Sequence, residues 1–373
     1  MKAPYPKIRV LVIDDSAFSR RTISRILERS PLCEVVACAA DGEEALRQTL
    51  RLRPDLITLD LEMPRMDGFT FLRLVMSRQP TPVIVISGRK GDQDVFRALD
   101  FGAVDFIAKP TPRATPELEQ IEQELLRKVH TVRQLRIDKV RERLEAPPTV
   151  RAPTPRAPGA PRLVAIGSST GGPAALMQIL SSFVRAPGAA LVVAQHMPAG
   201  FTRGFAERID RLTPFEAREA VDGDEPRPGR VLIAPGGQHL EFERVGGRTV
   251  VRLGESGGAD KYAPSVDRLF LSAAKHYGGS DLLAIVLTGM GDDGRRGVLA
   301  VKEAGGRVVA ESEETAVVFG MPQQAIRTGA VDAVLPLPQI PAVIEAGLDA
   351  AQLHPLSALA RGTVQPEARR GPA

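Results

Sequence analysis

The sequence predicts an α/β protein built from two doubly wound parallel-sheet domains. Short apolar segments alternate with amphipathic segments of helical length over the first third of the chain, and this alternation resumes at Leu163. Chemically versatile side chains stand directly after several apolar segments, where the carboxyl ends of parallel strands meet. A proline-rich stretch separates the two series, and 373 residues suit two domains of ordinary size.

Composition excludes several classes of protein. The 49 Lys and Arg residues nearly balance the 45 Asp and Glu residues, which argues against binding nucleic acid or an anionic membrane. No apolar run approaches the roughly 20 residues of a membrane span, and the first residues lack an apolar signal core. Cys33 and Cys38 lack partners at metal-ligand spacing. We therefore expect a cytoplasmic monomer with no nucleic-acid partner and no membrane insertion.

The first series predicts five strands and the helices between them. The strands are predicted at residues 8–13, 35–39, 56–59, 83–86 and 105–107. The helices are predicted at residues 17–27, 44–50, 69–76 and 95–99, with one long helix from about residue 116 towards 144. This alternation is typical of a doubly wound sheet.

Five polar groups stand at the ends of these strands, namely Asp14, Asp15, Asp60, Ser87 and Lys109. Three carboxylates in one concavity repel each other, and oxygen ligands of this kind suit Mg²⁺. A carboxylate beside Mg²⁺ and a lysine can attack a phosphoryl group. A single aspartate at a strand end would be an ordinary helix cap, but five suitable groups together predict a site.

These residues also carry a resemblance to a known family. Residues 8 to about 130 resemble a two-component receiver domain, a flavodoxin-like fold, on the runs DD at 14–15, LDLEMPRMDG at 59–68 and KP at 109–110, together with Ser87. The resemblance implies that a histidine kinase supplies a phosphoryl group to Asp60. It further implies a Mg²⁺ site at Asp14, Asp15 and Asp60, and phosphoryl sensing by Ser87, Lys109 and Phe106.

The stretch 146–161 contains six prolines and has no apolar periodicity. This composition predicts an extended, semi-rigid tether, with a docking motif for a proline-binding partner as the alternative. We expect a receiver at residues 1–130, followed by a helix extension and linker at 131–161. The second domain is expected at 162–350 and a loose tail at 351–373.

The second series predicts a further sheet. Strands are predicted at residues 163–166, 189–194, 231–234, 282–287, 307–310 and 331–335, with a hairpin at 241–243 and 250–253. Helices are predicted at residues 173–180, 200–212, 265–274, 298–304 and 340–351.

The first strand of this series leads into a candidate nucleophile turn. Gly167-x-Ser169-x-Gly171 has the spacing of a nucleophile elbow, and Pro173 opens the next helix. The alternative is a glycine turn that only connects two elements or cradles a phosphate. His196 and the pair Asp292-Asp293 follow two other strands, so the chain offers the serine, imidazole and carboxylate that a catalytic triad needs. For His196 alone, the alternative is a helix-capping or buried structural histidine. Their chain order differs from the order in α/β-hydrolases.

A rival interpretation concerns Gly289-x-Gly291-x-x-Gly294, which matches the dinucleotide-binding fingerprint, with Glu311 near the expected ribose position. Against this interpretation, the carboxylates of Asp292 and Asp293 would repel a pyrophosphate.

A second resemblance covers residues 162 to about 348, which resemble the Rossmann-like catalytic domain of the chemotaxis protein-glutamate methylesterases of the CheB type. The matching runs are IGSSTGG at 166–172, QHMPAGF at 195–201, APG at 234–236, PSVD at 264–267, LTGMGDDG at 287–294 and VFGMP at 318–322.

This resemblance implies a catalytic triad of Ser169, His196 and Asp293, with N–H groups near Thr170 and Met290 as the oxyanion hole. It implies hydrolysis of glutamyl γ-methyl esters on chemotaxis receptors, with release of methanol, and deamidation of receptor glutamines. It implies no cofactor in this domain. The alternative is a response regulator whose second domain only binds a partner.

Overall fold

The computed structural model describes residues 6–88, 92–109, 115–145, 160–257 and 260–348. Its first sheet is parallel and has five strands, namely β1 (Ile8–Ile13), β2 (Cys33–Ala39), β3 (Leu56–Leu59), β4 (Val83–Ser87) and β5 (Asp105–Ala108). They lie in the order β2-β1-β3-β4-β5, which confirms the predicted flavodoxin-like arrangement.

The first sheet is accompanied by α1 (Ala17–Glu28), α2 (Gly42–Leu52), α3 (Gly68–Arg78), α4 (Asp92–Asp100) and α5 (Thr115–His130). Two of these helices begin at aspartates that precede a glycine. The carboxylate of Asp41 accepts hydrogen bonds from the N–H groups of Glu43 and Glu44, and that of Asp67 accepts one from Thr70. These caps satisfy N–H groups that a helix leaves without partners.

The single long helix predicted from residue 116 towards 144 is wrong. α5 ends at His130, a 3₁₀ turn covers Thr131–Gln134, and a separate α6 spans Ile137–Glu145. Between them, Leu135 forms a β-bridge with Val318, and the N–H of Arg136 bonds the carbonyl oxygen of Val317 at 2.9 Å. The backbone pairs here with a distant segment, and the amphipathic spacing of the sequence does not indicate that pairing.

The second sheet is also parallel and has seven strands. They are β6 (Leu163–Ser168), β7 (Ala190–Gln195), β8 (Glu216–Glu219), β9 (Arg230–Ile233), β12 (Leu282–Val286), β13 (Arg307–Glu311) and β14 (Ala333–Leu335). Their order is β14-β13-β12-β6-β7-β9-β8. The strand order reverses around β6, which has β7 on one side and β12 on the other. Such a reversal opens a crevice beyond the carboxyl ends of these strands.

The remaining elements complete the second half. The helices are α7 (Gly172–Ser181), α8 (Phe201–Leu212), α9 (Val266–His276), α10 (Arg295–Glu303), α11 (Met321–Ile326) and α12 (Ile340–Ala346), and the predicted hairpin is β10 (Gln238–Val245) with β11 (Arg248–Glu255). β8 and α11 were not predicted. β8 is a polar edge strand with one buried residue, Ala217, and α11 has only six residues, so neither produces an apolar pattern.

The two halves share a continuous apolar core, in which Phe106 of β5 packs on Phe201 of α8 with ring centroids 4.8 Å apart. Most of the predicted proline-rich tether and the predicted loose tail lie outside the described residues. Within the described part of the chain, no helix has the length and apolar character needed to cross a membrane.

Candidate functional site

The turn between β6 and α7 presents one of two adjacent serines to a cavity. Gly171 has a φ of +77°, a conformation that glycine adopts without strain. The side chain of Ser168 is fully buried and donates a hydrogen bond to Oε1 of Gln195 at 2.6 Å. Ser169 is partly exposed and lines a cavity of about 120 Å³ that His196 also lines. Ser169 is therefore the serine that a substrate can reach.

His196, directly after β7, forms a close pair with Asp293, which lies in the loop between β12 and α10. Nε2 of His196 lies 2.8 Å from Oδ2 of Asp293. The carboxylate also accepts hydrogen bonds from the Ser265 hydroxyl at 3.0 Å and from the N–H groups of Val266 and Asp267 at 2.7 and 2.9 Å. Burial acts to raise the pKa of Asp293, but its hydrogen bonds outweigh burial and hold that pKa below its usual value.

The second ring nitrogen of His196 has no hydrogen-bond partner among the described residues, although it is buried. Since Nε2 is held by Asp293, Nδ1 is the ring nitrogen that remains to accept a proton. No hydrogen bond joins Ser169 and His196 in this arrangement of the described chain, and such bonds commonly tighten only when substrate binds. The geometry therefore provides a base, its orienting carboxylate and a nearby hydroxyl.

The two expected oxyanion donors, Thr170 and Met290, also line this cavity. Within the described residues, no acceptor takes the backbone N–H of either one. Their side chains contact the first half of the chain: the Thr170 hydroxyl donates to Oδ2 of Asp105 at 2.6 Å, and the Thr131 hydroxyl lies 3.2 Å from Sδ of Met290.

One wall of the cavity comes from α5 and the turn after it, through Glu124, Arg127, Lys128 and Thr131. The ammonium of Lys128 is buried and lies 2.8 Å from Oδ1 of Asp105 and 3.1 Å from Glu124. The sequence does not predict this wall, because the wall depends on how the two sheets pack together. Gln195, Ser265 and Tyr262 were not predicted either, although all three lie within or beside runs that carried the second resemblance.

The dinucleotide interpretation does not fit the structure. The carboxylate of Glu311 is fully buried, accepts the N–H of Thr288 at 2.8 Å and lies 3.2 Å from the guanidinium of Arg143. The Glu311 side chain is therefore held inside the protein and cannot reach a ribose. The Asp293 carboxylate, in turn, is bonded to His196.

The first sheet carries an acidic pocket. Carboxylate oxygens of Asp14, Asp15 and Asp60 lie within 4.8 Å of one another. The ammonium of Lys109 is 2.5 Å from Oδ2 of Asp60 and 3.3 Å from Oδ2 of Asp14. Burial, together with the charge of Asp14, raises the pKa of Asp60 to about 6. Oδ2 of Asp14 is buried and accepts no well-aligned hydrogen bond within the described chain, so this donor set fits a hard divalent cation.

The other two predicted residues of this half, Ser87 and Phe106, lie in different places. Ser87 ends β4, and its carbonyl oxygen accepts the N–H of Lys109 at 2.7 Å, which places Ser87 beside the acidic pocket. Phe106 is buried at the boundary with the second half, where it packs on Phe201. The centroid of its ring lies 5.3 Å from the ammonium of Lys128.

Comparisons with known proteins agree with both halves. The CheB methylesterase family model matches residues 164–344, and the response regulator receiver domain model matches residues 10–120. Protein-glutamate methylesterase/protein-glutamine glutaminase 3 of Geobacter sulfurreducens is 53% identical over 352 residues, covering 89% of this chain and 95% of that protein.

Protein-glutamate methylesterase/protein-glutamine glutaminase 1 of Myxococcus xanthus is 51% identical over 333 residues, covering 89% of this chain and 95% of that protein. The crystal structure of the Thermotoga maritima CheB methylesterase catalytic domain shares 43% identity and covers 49% of this chain and 97% of that one, with a TM-score of 0.47.

Proposed function

Because the chain belongs to the CheB methylesterase family and carries a response regulator receiver domain, we propose that it is a phosphorylation-activated hydrolase. Its substrates are glutamate γ-methyl esters on methyl-accepting chemotaxis receptors, from which it releases methanol. It also deamidates receptor glutamines, since amide and ester pass through the same kind of tetrahedral intermediate. The proposal rests above all on the His196–Asp293 pair. Nδ1 of His196 has no hydrogen-bond partner within the described chain, and His196 lines the same cavity as Ser169.

In this mechanism Ser169 Oγ attacks the ester carbonyl carbon while Nδ1 of His196 takes the hydroxyl proton. The N–H groups of Thr170 and Met290 stabilise the resulting oxyanion. His196 then gives the proton to the departing methoxide, which leaves as methanol and leaves a glutamyl ester on Ser169. Water, deprotonated by His196, attacks that ester, and His196 then returns the proton to Ser169 Oγ as the glutamate carboxylate leaves. Asp293 holds Nε2–H throughout and stabilises the imidazolium.

The first half acts as the regulatory part. A histidine kinase supplies the phosphoryl group that Asp60 accepts. Asp14, Asp15 and Asp60 would hold Mg²⁺, and the ion would neutralise charge during that transfer. Lys109 and Ser87 contact the phosphoryl group, and Phe106 responds to it. The cavity at Ser169 is too small for a receptor helix about 10 Å wide, so α5 must move away before substrate binds. Phosphorylation favours that movement.

The proposed organisation has a receiver at residues 1–130, a helix extension and linker at 131–161, and a catalytic domain at 162–350. The tail at 351–373 has no assigned role.

The direct test measures methanol release from methylated receptor membranes, with Mg²⁺ and an acyl-phosphate donor present. We expect Ser169→Ala to lower turnover by about 10⁴-fold, because the nucleophile is lost. Ser168→Ala is the matched control, and its turnover should stay within about tenfold of the unaltered protein, because among the described residues that buried hydroxyl bonds only Gln195. Methanol release that survives in Ser169→Ala would overturn the assignment.

A further inference from the structure

The imidazole of His196 is stacked on the ring of Tyr262. The ring centroids are 4.3 Å apart and the planes are inclined by only 6°. Tyr262 stands three residues before Ser265, which bonds Asp293. The same short segment therefore contacts both the imidazole and the carboxylate that orients it.

We propose that Tyr262 is a positioning residue for His196. Its ring fixes the plane of the imidazole, so that Nδ1 faces Ser169 while Nε2 stays on Asp293. The π face of the tyrosine also attracts the imidazolium that exists while His196 holds the serine proton, because an aromatic face attracts a cation. This inference rests on the proposed function, since it concerns the base of that reaction.

The position of Tyr262 is built into the turn that follows β12. A Cβ atom on Gly291 would lie 2.2 Å from the Tyr262 hydroxyl oxygen, so only glycine leaves room for the ring to lie where it does. Gly291 also has a φ of +93°, which suits glycine. The stack with His196 therefore gives a physical reason for the middle glycine of the run Gly289-x-Gly291-x-x-Gly294.

Two cations contact the same ring. The guanidinium carbon of Arg127 is 5.3 Å from the ring centroid and the ammonium of Lys261 is 5.0 Å from it. Lys261 is also paired with Asp292 at 3.0 Å. Arg127 belongs to α5, which moves away in the active protein, so the role of Tyr262 has to be measured with the receiver phosphorylated.

The experiment compares Tyr262→Leu and Tyr262→Phe in the full chain, with Mg²⁺ and an acyl-phosphate donor, by methanol release from methylated receptor membranes. Leucine removes the aromatic face, whereas phenylalanine keeps it. We expect Tyr262→Leu to lower kcat about tenfold with KM within about twofold, because the stack acts in the transition state and not in substrate binding. We expect Tyr262→Phe to stay within about twofold of the unaltered protein.

Tyr277→Leu is the matched control, because Tyr277 packs on Phe242 rather than on a residue of the candidate site. Its kcat should be unchanged. A second measurement needs no variant that might fold poorly: the ring protons of His196 in the unaltered protein should show an upfield ring-current shift in NMR spectra.

An unchanged kcat in Tyr262→Leu, an equal loss in Tyr262→Phe, or a change confined to KM would each overturn the positioning role. So would the absence of the ring-current shift. If the unaltered protein releases no methanol, the proposed function fails and this inference fails with it, whereas the outcomes above leave the proposed function standing.

Discussion

Among single residues, Asp60 carries a carboxylate whose ionisation lowers the stability of the fold. Its folded pKa of about 6 lies above the ordinary value of 3.8, because it is buried and close to Asp14. The folded state therefore binds the proton more tightly than the unfolded chain does. Above pH 6 the ionised carboxylate opposes folding, and this penalty fades as the pH falls from 6 towards 4.

Asp60→Asn should therefore stabilise the receiver at pH 8 when divalent cations are removed with EDTA. A pKa difference of about two units corresponds to an increase of about 1–3 kcal/mol in the free energy of unfolding. The gain should shrink at pH 5, where Asp60 is already largely protonated. Thermal unfolding at both pH values measures this, and Mg²⁺ should stabilise the unaltered protein more than the variant. A gain of equal size at both pH values would contradict the argument.

The residues that the sequence could predict lie beyond the carboxyl ends of strands. Ser169 and His196 directly follow β6 and β7, and Asp293 lies in the loop after β12. They could be placed in one crevice because carboxyl ends of parallel strands meet at a switch point. Ser265 and Tyr262 lie in the segment before α9, which does not follow a strand of the sheet, so the topology of the sheet does not predict their positions. Their contacts with Asp293 and His196 depend on the path of the chain before α9, which no periodicity encodes.

Among the elements, α6 is bound to the catalytic half by a buried ion pair. Arg143 is 11% exposed and lies 3.2 Å from the fully buried carboxylate of Glu311. Its guanidinium also donates to the carbonyl oxygens of Thr315 at 2.9 Å and of Gly171 at 3.3 Å, and Gly171 is in the nucleophile turn. Burial raises the pKa of Glu311, so this carboxylate depends on the guanidinium for compensation.

Arg143→Met should lower the free energy of unfolding of the catalytic half by about 3–5 kcal/mol, because it leaves Glu311 buried without a counter-charge. Adding Glu311→Gln should recover part of that loss, since the amide oxygen can still accept the N–H of Thr288. Arg141→Met on the same helix is the control, because Arg141 is exposed and pairs with exposed Glu145. Thermal unfolding measures all four proteins. Equal effects of Arg143→Met and Arg141→Met would exclude the buried pair as the cause.

Helices and strands could be predicted where an apolar pattern covers the whole element. They could not be predicted where pairing with distant residues determines the backbone conformation. β1 and β3 have the predicted limits, and both are buried at nearly every position. The break at Leu135 depends on a bridge to Val318, about 180 positions away in the chain. β8 exists only because β9 offers it a parallel partner.

Over the whole molecule, β5 of the receiver contacts the turn that contains Ser169. β5 contributes Asp105, which accepts the Thr170 hydroxyl, and Phe106, which packs on Phe201. Lys109, which contacts the Asp60 carboxylate, directly follows β5. A change at the acidic pocket that shifts β5 therefore alters the hydrogen bond between Asp105 and Thr170, the residue next to Ser169. No further element is needed to connect the two sites.

The same packing predicts that Arg127 helps to hold the unphosphorylated protein closed. Its guanidinium contacts the Tyr262 ring and donates to the carbonyl oxygen of Lys261 at 3.3 Å. These contacts exist only while α5 covers the cavity, and together they stabilise that state by about 1 kcal/mol. Arg127→Ala should therefore raise methanol release by the unphosphorylated protein about fivefold, because the closed state dominates before phosphorylation.

Turnover after treatment with an acyl-phosphate donor should be unchanged in Arg127→Ala, because α5 has then left the cavity. Arg29→Ala is the matched control, since Arg29 pairs with Glu122 of α5 and, within the described residues, forms no hydrogen bond or ion pair with the catalytic half. It should leave the unphosphorylated rate unaltered. In an Asp60→Asn background, Arg127→Ala should still raise the basal rate while the response to the donor is lost. A basal rate that stays at the unaltered level in Arg127→Ala would show that α5 is held over the cavity by other contacts.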